Sequence, residues 1–228
     1  MLKGIAVSGG FAIGKILKLE EQTITYPLQK GLESAQELAR LEQALAEFTR
    51  RAEQSAGRIR RIVGKEEADI FTGHIYMAND PFIARELRQK IQSGYSAEMA
   101  MESACDSWIE SFSQARAELT RQKAADIADI KKTVLGILSG KRIDGKKIPF
   151  GTVLAAKELT PSAVNILERR KTLAVLSERG SPRSHFAILV KAMEIPAVVA
   201  VEQLMKSVEN GQRVIVDANK GEVIPLDK

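Results

Sequence analysis

The sequence predicts an α/β domain interrupted by an inserted all-α helical bundle, and three observations carry that prediction. Strand-like patterning occupies both ends of the 228-residue chain. Residues 32–139 show helical periodicity with one proline, Pro81. The last third alternates strands with short helices, which is the grammar of an α/β fold. The expected division is 1–30 with 141–228 for the α/β part, and 31–140 for the insertion.

The opening "KGIAVSGGFAIGKILKLE" alternates apolar and small residues around glycines, so residues 2–28 read as strands with Ile5, Val7, Ile13, Ile16 and Leu17 for a core. Tyr26-Pro27 closes that section. Alone these strands would form a marginal hairpin, so they are expected to join the later sheet. From Leu32, apolar residues Leu38, Leu41, Leu45 and Phe48 fall at helical spacing in a segment that ends near Gly64. A run from Glu66 to Tyr76 follows and breaks at Asn79-Asp80-Pro81, where Asp80 suits an N-cap and Pro81 a first helical position. The next helix stops at Ser93-Gly94. Another begins at Ser96 and carries Met99, Cys105, Trp108, Ile109 and Phe112, and a last one covers about Ala124 to Leu138. Long amphipathic helices with short connections predict an antiparallel bundle. After Gly140 the pattern reverts: "KKIPFGTVLAAKEL" reads as turn and strand, "SAVNILERR" as helix, "KTLAVLSE" as strand. A helix carrying His185, the strand "PAVVAV", a short helix in "EQLMKSVENG" and two strands in "QRVIVDANKGEVIPL" complete the chain.

Composition excludes several function classes. The single Cys105 rules out an intrachain disulfide, and two histidines are too few for a zinc site. No apolar run reaches membrane-spanning length and no signal peptide opens the chain, so a cytoplasmic protein without a membrane partner is expected. A net charge of +5 invites a nucleic-acid reading. The basic clusters Arg50-Arg51, Arg58/Arg60/Arg61 and Arg169-Arg170-Lys171 lie among glutamates without interleaved aromatics, however. Aromatics are only 5% of the residues, a poor basis for base stacking, and no nucleic-acid partner is expected.

Gly9 to Lys15 matches the GxxxxGK spacing of a phosphate-binding loop, but Ile16 stands where a Ser or Thr should hold magnesium. A strand, not a helix, follows, so these are turn glycines. Cys105 reads as a buried small hydrophobe. His74 reads as a packing or surface residue of a helix. The stretch "SERGSPRSHFAILVKAMEIPAV" offers more. Gly180, Ser181 and Pro182 make a turn after a strand, and a helix starts near Ser184 with Phe186, Leu189, Val190 and Met193 on one apolar face. His185 then lies in the first helical turn at the carboxyl end of a strand, where ligands of α/β sheets gather. The helix start offers amide N–H groups and a positive dipole end to an anion. There a neutral imidazole can take a phosphoryl group, with Ser184 donating a hydrogen bond. A polar residue beside a capping serine fits the same spacing. The residues alone leave both readings standing.

"GSPRSHFAILVKAMEIPAVV" resembles the phosphohistidine signature GGxTSHxAIxAR…PAV of Enzyme I of the bacterial phosphoenolpyruvate:sugar phosphotransferase system. Other segments are similar in the same order along nearly the whole chain. "KGIAVSGGFAIGK" looks like the family's GIxASPGIAxGK, "IFTGHIYMANDP" like IFxxHxxxLxD, and "QKAADIADIKKTVLGIL" like RAADxRDIxxRxL. "AAKELTPSAV" looks like its DLTPSxT segment, and "DANKGEVIPL" like its closing hairpin. Pyruvate phosphate dikinase and phosphoenolpyruvate synthase share the signature but do not predict a helical insertion.

The resemblance implies an α/β phosphohistidine (swivelling) domain with an inserted all-α helical-bundle subdomain that docks the small phosphocarrier HPr. It makes His185 the phosphorylated residue, Ser184 its preceding serine and Gly180 its first glycine; Arg183, outside the family pattern, adds a positive charge suited to holding the phosphoryl group or to favouring a particular partner. Glu66, Glu67, His74 and Met77 fall in the segment that faces HPr. In the family, phosphoenolpyruvate and magnesium bind a separate carboxy-terminal barrel that also carries the main dimer contacts. This chain is therefore expected to need no cofactor of its own, to exchange phosphoryl groups with HPr or an HPr-like carrier, and to be monomeric alone. Three positions depart from the pattern. Arg183 stands for a threonine, Lys191 for an arginine, and Val164 for the last threonine of TPSxT, a hydroxyl expected to bond the histidine. Such departures also fit an Enzyme I-like module of a multiphosphoryl transfer protein feeding dihydroxyacetone kinase, or a non-catalytic homologue that only docks its partner.

Overall fold

The two ends of the chain meet in one eight-stranded mixed sheet. The computed structural model describes residues 1–20, 24–26, 33–140 and 148–226. The chain divides into two units, Met1–Gln22 with Asp144–Lys228, and Thr23–Ile143.

In the first unit the strands are β1 (Leu2–Lys3), β2 (Ile5–Ser8), β3 (Phe11–Leu19), β4 (Thr152–Ala156), β5 (Thr172–Ser177), β6 (Ala197–Val199), β7 (Arg213–Asp217) and β8 (Glu222–Pro225). Their order is β1-β8-β7-β3-β4-β5-β6-β2. Strands β3 to β6 run parallel, and the remaining pairings are antiparallel. Consecutive strands β1 and β2 thus lie at opposite ends of the order, so the segment Leu2–Ser8 curls the sheet closed. The crossing is at Gly4, whose N–H donates to the Gly221 carbonyl at 2.9 Å. A Cβ on Gly4 would lie 2.6 Å from the Val199 carbonyl oxygen, so only glycine passes.

Inside the curl pack Ala12, Ile16, Val153, Ala155, Ala174, Leu176, Val198, Val214, Val216 and Val223. The expected core of the opening strands needs correction here. Ile16 is buried, but Ile5 and Ile13 are 48% and 46% exposed. The pleat of β3 turns Ala12, Gly14 and Ile16 inward and Phe11, Ile13 and Lys15 outward. A Cβ on Gly14 would meet the Gly151 carbonyl at 2.6 Å, so the inner face at that point has room only for small residues. The strand patterning also ends at Leu19, since residues 24–26 are not strand; residues 21–23 and 27–32 lie outside the described residues. The helix expected over "SAVNILERR" is a 3₁₀ helix, Pro161–Ile166, closed by a Leu167 N–H to Val164 carbonyl bond of 3.0 Å. Its bonds, Ala163 N–H to the Thr160 carbonyl at 2.9 Å and Leu167 N–H to Val164, span three residues each, the short-run pattern of a 3₁₀ helix. Helix α6 spans His185–Ala192, and α7 is a four-residue turn, Leu204–Ser207.

The second unit holds α1 (Ser34–Ile62), α2 (Lys65–Ala78), α3 (Pro81–Gln92), α4 (Ala97–Ser113) and α5 (Glu118–Leu138). Leu41, Phe48, Leu87, Ile91, Met101, Ile127, Ile130 and Val134 form its core. The expected cap is present, Asp80 accepting from the Phe82 N–H at 2.8 Å, and Ser96, where a helix was expected to begin, caps α4 by accepting from the Met99 N–H at 3.2 Å. Helix α5 begins six residues before the expected Ala124, because its first turns, "ELTRQK", are too polar to show an apolar stripe. The start of α4 is capped a second time from another helix. Glu37 of α1, 5% exposed, accepts the Ala97 N–H at 2.7 Å, and Arg40 pairs with both Glu37 and the buried Glu98. The same arginine lies in each pair, so Arg40 is held protonated above its ordinary value, chiefly by the Glu98 bond. Among the basic clusters, Arg50 and Arg51 both pair with Glu47 at 2.7 Å, and Lys171 with Glu168 at 2.8 Å. Among the described residues, no helix is long and apolar enough to cross a membrane.

Candidate active site

Parallel strands β4, β5 and β6 end side by side at Ala156, Ser177 and Val199. The loops leaving this edge carry the residues singled out from the sequence. The ladder between β4 and β5 runs two residues further, with Glu178 N–H donating to Ala156 O at 3.0 Å and Arg179 N–H to Lys157 O at 2.7 Å. Gly180 then turns the chain at φ +128, a backbone angle that disfavours any side chain. Within the turn, the Arg183 N–H donates to Ser181 Oγ at 3.2 Å, and the Ser184 N–H to the Ser181 carbonyl at 3.1 Å.

Ser184 is the N-cap of α6. Its extended backbone (φ −67, ψ 154) precedes the helix, its Oγ accepts the Ala187 N–H at 3.2 Å, and its carbonyl accepts the Ile188 N–H at 3.0 Å. His185 is therefore the first residue of the helix, and its side chain is half-buried. Behind it, Phe186, Leu189, Val190 and Met193 are 2% exposed or less, which fixes the helix from its apolar face. The amide-rich, positive end of the helix dipole thus lies where the imidazole begins. Arg183, exposed, stands at the rim. The 3₁₀ helix packs against α6; its Val164 is fully buried, while a hydroxyl pair, Thr160 Oγ1 and Ser162 Oγ, lies 3.2 Å apart at its start. The glycine-rich opening holds no phosphate loop: Phe11–Leu19, including Gly14-Lys15, is one strand.

The four residues of the expected partner-facing segment lie on α2 but differ in exposure. Glu66 is exposed, Glu67 is half-buried, and Met77 packs partly into the bundle core. His74 is not on the surface. It is 3% exposed, with Nε2 3.2 Å from Asp126 Oδ1 and Nδ1 3.9 Å from Asp129 Oδ2. Asp126 and Asp129 are three apart on α5 and so share a helix face, which brings both carboxylates to one ring. The signal for this cluster was present in "AADIADI", two aspartates spaced within an apolar stripe. Cys105 is buried, and its burial pushes the thiol up to about 12. That agrees with a small hydrophobe and not a reactive thiol.

Two further features of the strand edge have no cue in the sequence pattern. Ala200 and Gln203, both after β6, have φ +54. Glu178 reaches across from the β5 loop to accept the Met205 N–H at 2.9 Å. A side chain that caps a distant turn depends on a loop pairing no local spacing encodes.

Residues 3–123 match the family described as PEP-utilising enzyme, N-terminal, and residues 148–221 match PEP-utilising enzyme, mobile domain. The chain is 35% identical over 225 residues to the phosphoenolpyruvate-protein phosphotransferase of Priestia megaterium, covering 98% of this chain and 39% of that protein. It is 32% identical to the Bacillus subtilis (strain 168) protein of the same name, covering 98% and 40%. The chain thus spans about two-fifths of the length of these relatives. A solved structure described as an NMR solution structure of Enzyme I (nEIt) superposes with a TM-score of 0.78 at 28% identity, over 100% of this chain and 94% of that one. With both family matches in order and this fold shared end to end, the chain belongs to the PEP-utilising enzymes, in the form of an Enzyme I amino-terminal part.

Proposed function

We propose that the chain is a phosphoryl carrier of a phosphoenolpyruvate-dependent phosphotransferase system, phosphorylated on His185 and exchanging that group with HPr or an HPr-like protein. The observation that carries the reading is the seat of His185, first residue of a capped and buried helix at the carboxyl edge of three parallel strands. In the transfer, a neutral ring nitrogen of His185 attacks the phosphorus of phosphorylated HPr with its lone pair. The new N–P bond forms as the old one breaks; the donor's ring, protonated on its other nitrogen, leaves as neutral imidazole with the electron pair of the broken bond, and the His185 ring keeps its own N–H proton as it takes the phosphoryl group. The α6 amino terminus and Arg183 offset the arriving negative charge, and Ser184 holds the helix start. Gly180 allows the turn that brings these groups together. HPr docks on the helical unit, with Glu66 and Glu67 as acidic contacts on α2. Phosphoenolpyruvate, and the magnesium its chemistry uses, belong to the remaining three-fifths of the longer relatives.

Incubation with phosphorylated HPr tests this. The expected result is an acid-labile, base-stable phosphate on the wild-type chain and none on His185→Ala, whose circular dichroism stays unchanged. The buried Val164, where a threonine is the family pattern, favours the second reading, a docking module without chemistry. Tight HPr binding with no transfer to the wild type would establish that reading and overturn the carrier.

A further inference from the structure

We propose that the outer face of strands β3, β7 and β8 is a self-association surface that takes a second copy of this chain. An antiparallel sheet that meets water on one face normally alternates apolar-in with polar-out. The inward positions follow that rule, with Ala12, Val214, Val216 and Val223 buried. The outward positions break it. Ile13 pairs with Ile215 and Ile215 with Ile224, so three isoleucines make one row straight across the three strands. Directly paired residues share a face, and on this one Ile13 and Ile224 are 46% and 37% exposed. Phe11, two residues along β3 on the same outward side, is 61% exposed. Single surface apolar residues need no explanation, but a contiguous patch marks an interaction site.

The rows on either side of the isoleucines carry opposite charge. On one side Lys15 pairs with Arg213, and both are exposed. On the other, Phe11 pairs with Asp217 and Asp217 with Glu222. The two carboxylates have cations of the same molecule near them, Lys220 at 3.8 Å from Asp217 and Lys3 at 3.9 Å from Glu222. Those lysines are 71% and 70% exposed, so the pairs are loose and a better-placed cation can displace them. A two-fold axis laid along the isoleucine row reverses the strand direction and keeps the row on itself. It sets isoleucines on isoleucines, and it sets the basic row of each copy on the acidic row of the other. Lys15 then lies over Phe11 of the second copy, a cation–π contact. The order basic, apolar, acidic is therefore complementary to itself, which selects a second copy as the occupant. The patch covers three strands and five residues of each, about 14 by 17 Å. That is well below the roughly 800 Å² per partner of a standard interface, so the dimer is weak, with a dissociation constant on the order of 100 μM. The monomer implied by the family resemblance is its dilute form.

Sedimentation equilibrium of the whole chain, over concentrations that bracket that constant, tests the proposal. The expected result is a monomer–dimer equilibrium that added salt weakens. Arg213→Glu and Glu222→Lys each set like charges against one another across the axis. Each variant alone is expected to raise the dissociation constant about tenfold or more, with its circular dichroism unchanged. Mixed in equal amounts, the two variants oppose unlike charges again, and association is expected to return close to the wild-type value. Ile13→Asp, at an exposed position in the apolar row, is expected to leave only monomer. A wild type that stays monomeric at every concentration would overturn the proposal. So would a dimer that none of the three substitutions weakens, or a mixture of the two charge variants that associates no better than either alone.

Discussion

Ser184 serves the helix and the histidine with one hydroxyl. Its Oγ accepts the Ala187 N–H at 3.2 Å, which stops the first turn of α6 from fraying, and His185 is in that turn. Ser184→Ala is expected to cost about 1 kcal/mol of stability, the usual value of an N-cap, read as a lowered midpoint in urea unfolding. Ser184→Asp keeps an acceptor and should recover most of that stability. It should still transfer poorly, because a carboxylate beside the imidazole repels the arriving phosphoryl group. At this scale much was legible. A Ser-His pair after a Gly-Ser-Pro turn and before an apolar stripe is a local pattern, and local patterns survive folding. For His74 the sequence left packing and surface both open, because its partner Asp126 lies 52 positions away in sequence.

Among elements, the start of α4 shows how one helix is finished by another. Glu37 caps it from α1, and Arg40 neutralises Glu37 and Glu98, two carboxylates 5% and 6% exposed. Arg40→Ala strands both charges in the bundle. A cost of about 3 kcal/mol is expected in chemical denaturation, well above the loss from any surface pair. Arg50→Ala, at an exposed pair with Glu47, should leave the denaturation midpoint almost unmoved and serves as the control. Helices with strong caps or stripes, such as α3 from Asp80-Pro81, were legible at both ends. The start of α5 and the 3₁₀ helix were not. The first has a polar opening turn, and the second closes i→i+3 bonds, which the apolar spacing does not distinguish from i→i+4.

At the scale of the molecule, the helical unit is continuous in sequence, Thr23–Ile143, and has a core of its own. Expressed alone, it is expected to unfold in one cooperative transition by circular dichroism at 222 nm. A non-cooperative melt would show that the insertion needs the sheet to fold. That the opening strands join the later sheet followed from their being too few to stand alone. Their splitting to the two ends of the strand order did not follow, because periodicity reports which face a residue takes and not which neighbour it finds.

The closure of the sheet by Leu2–Ser8 also orders events in time. Leu2 pairs with Val223 and Ile5 with Val199, so Leu2–Ser8 must wait for strands made long after it. On the ribosome, the helical unit has all its parts while the sheet still lacks β4 to β8. Leu2–Ser8 then finds its place only after β6 and β8 have been made, and until it does, both strands present an open edge.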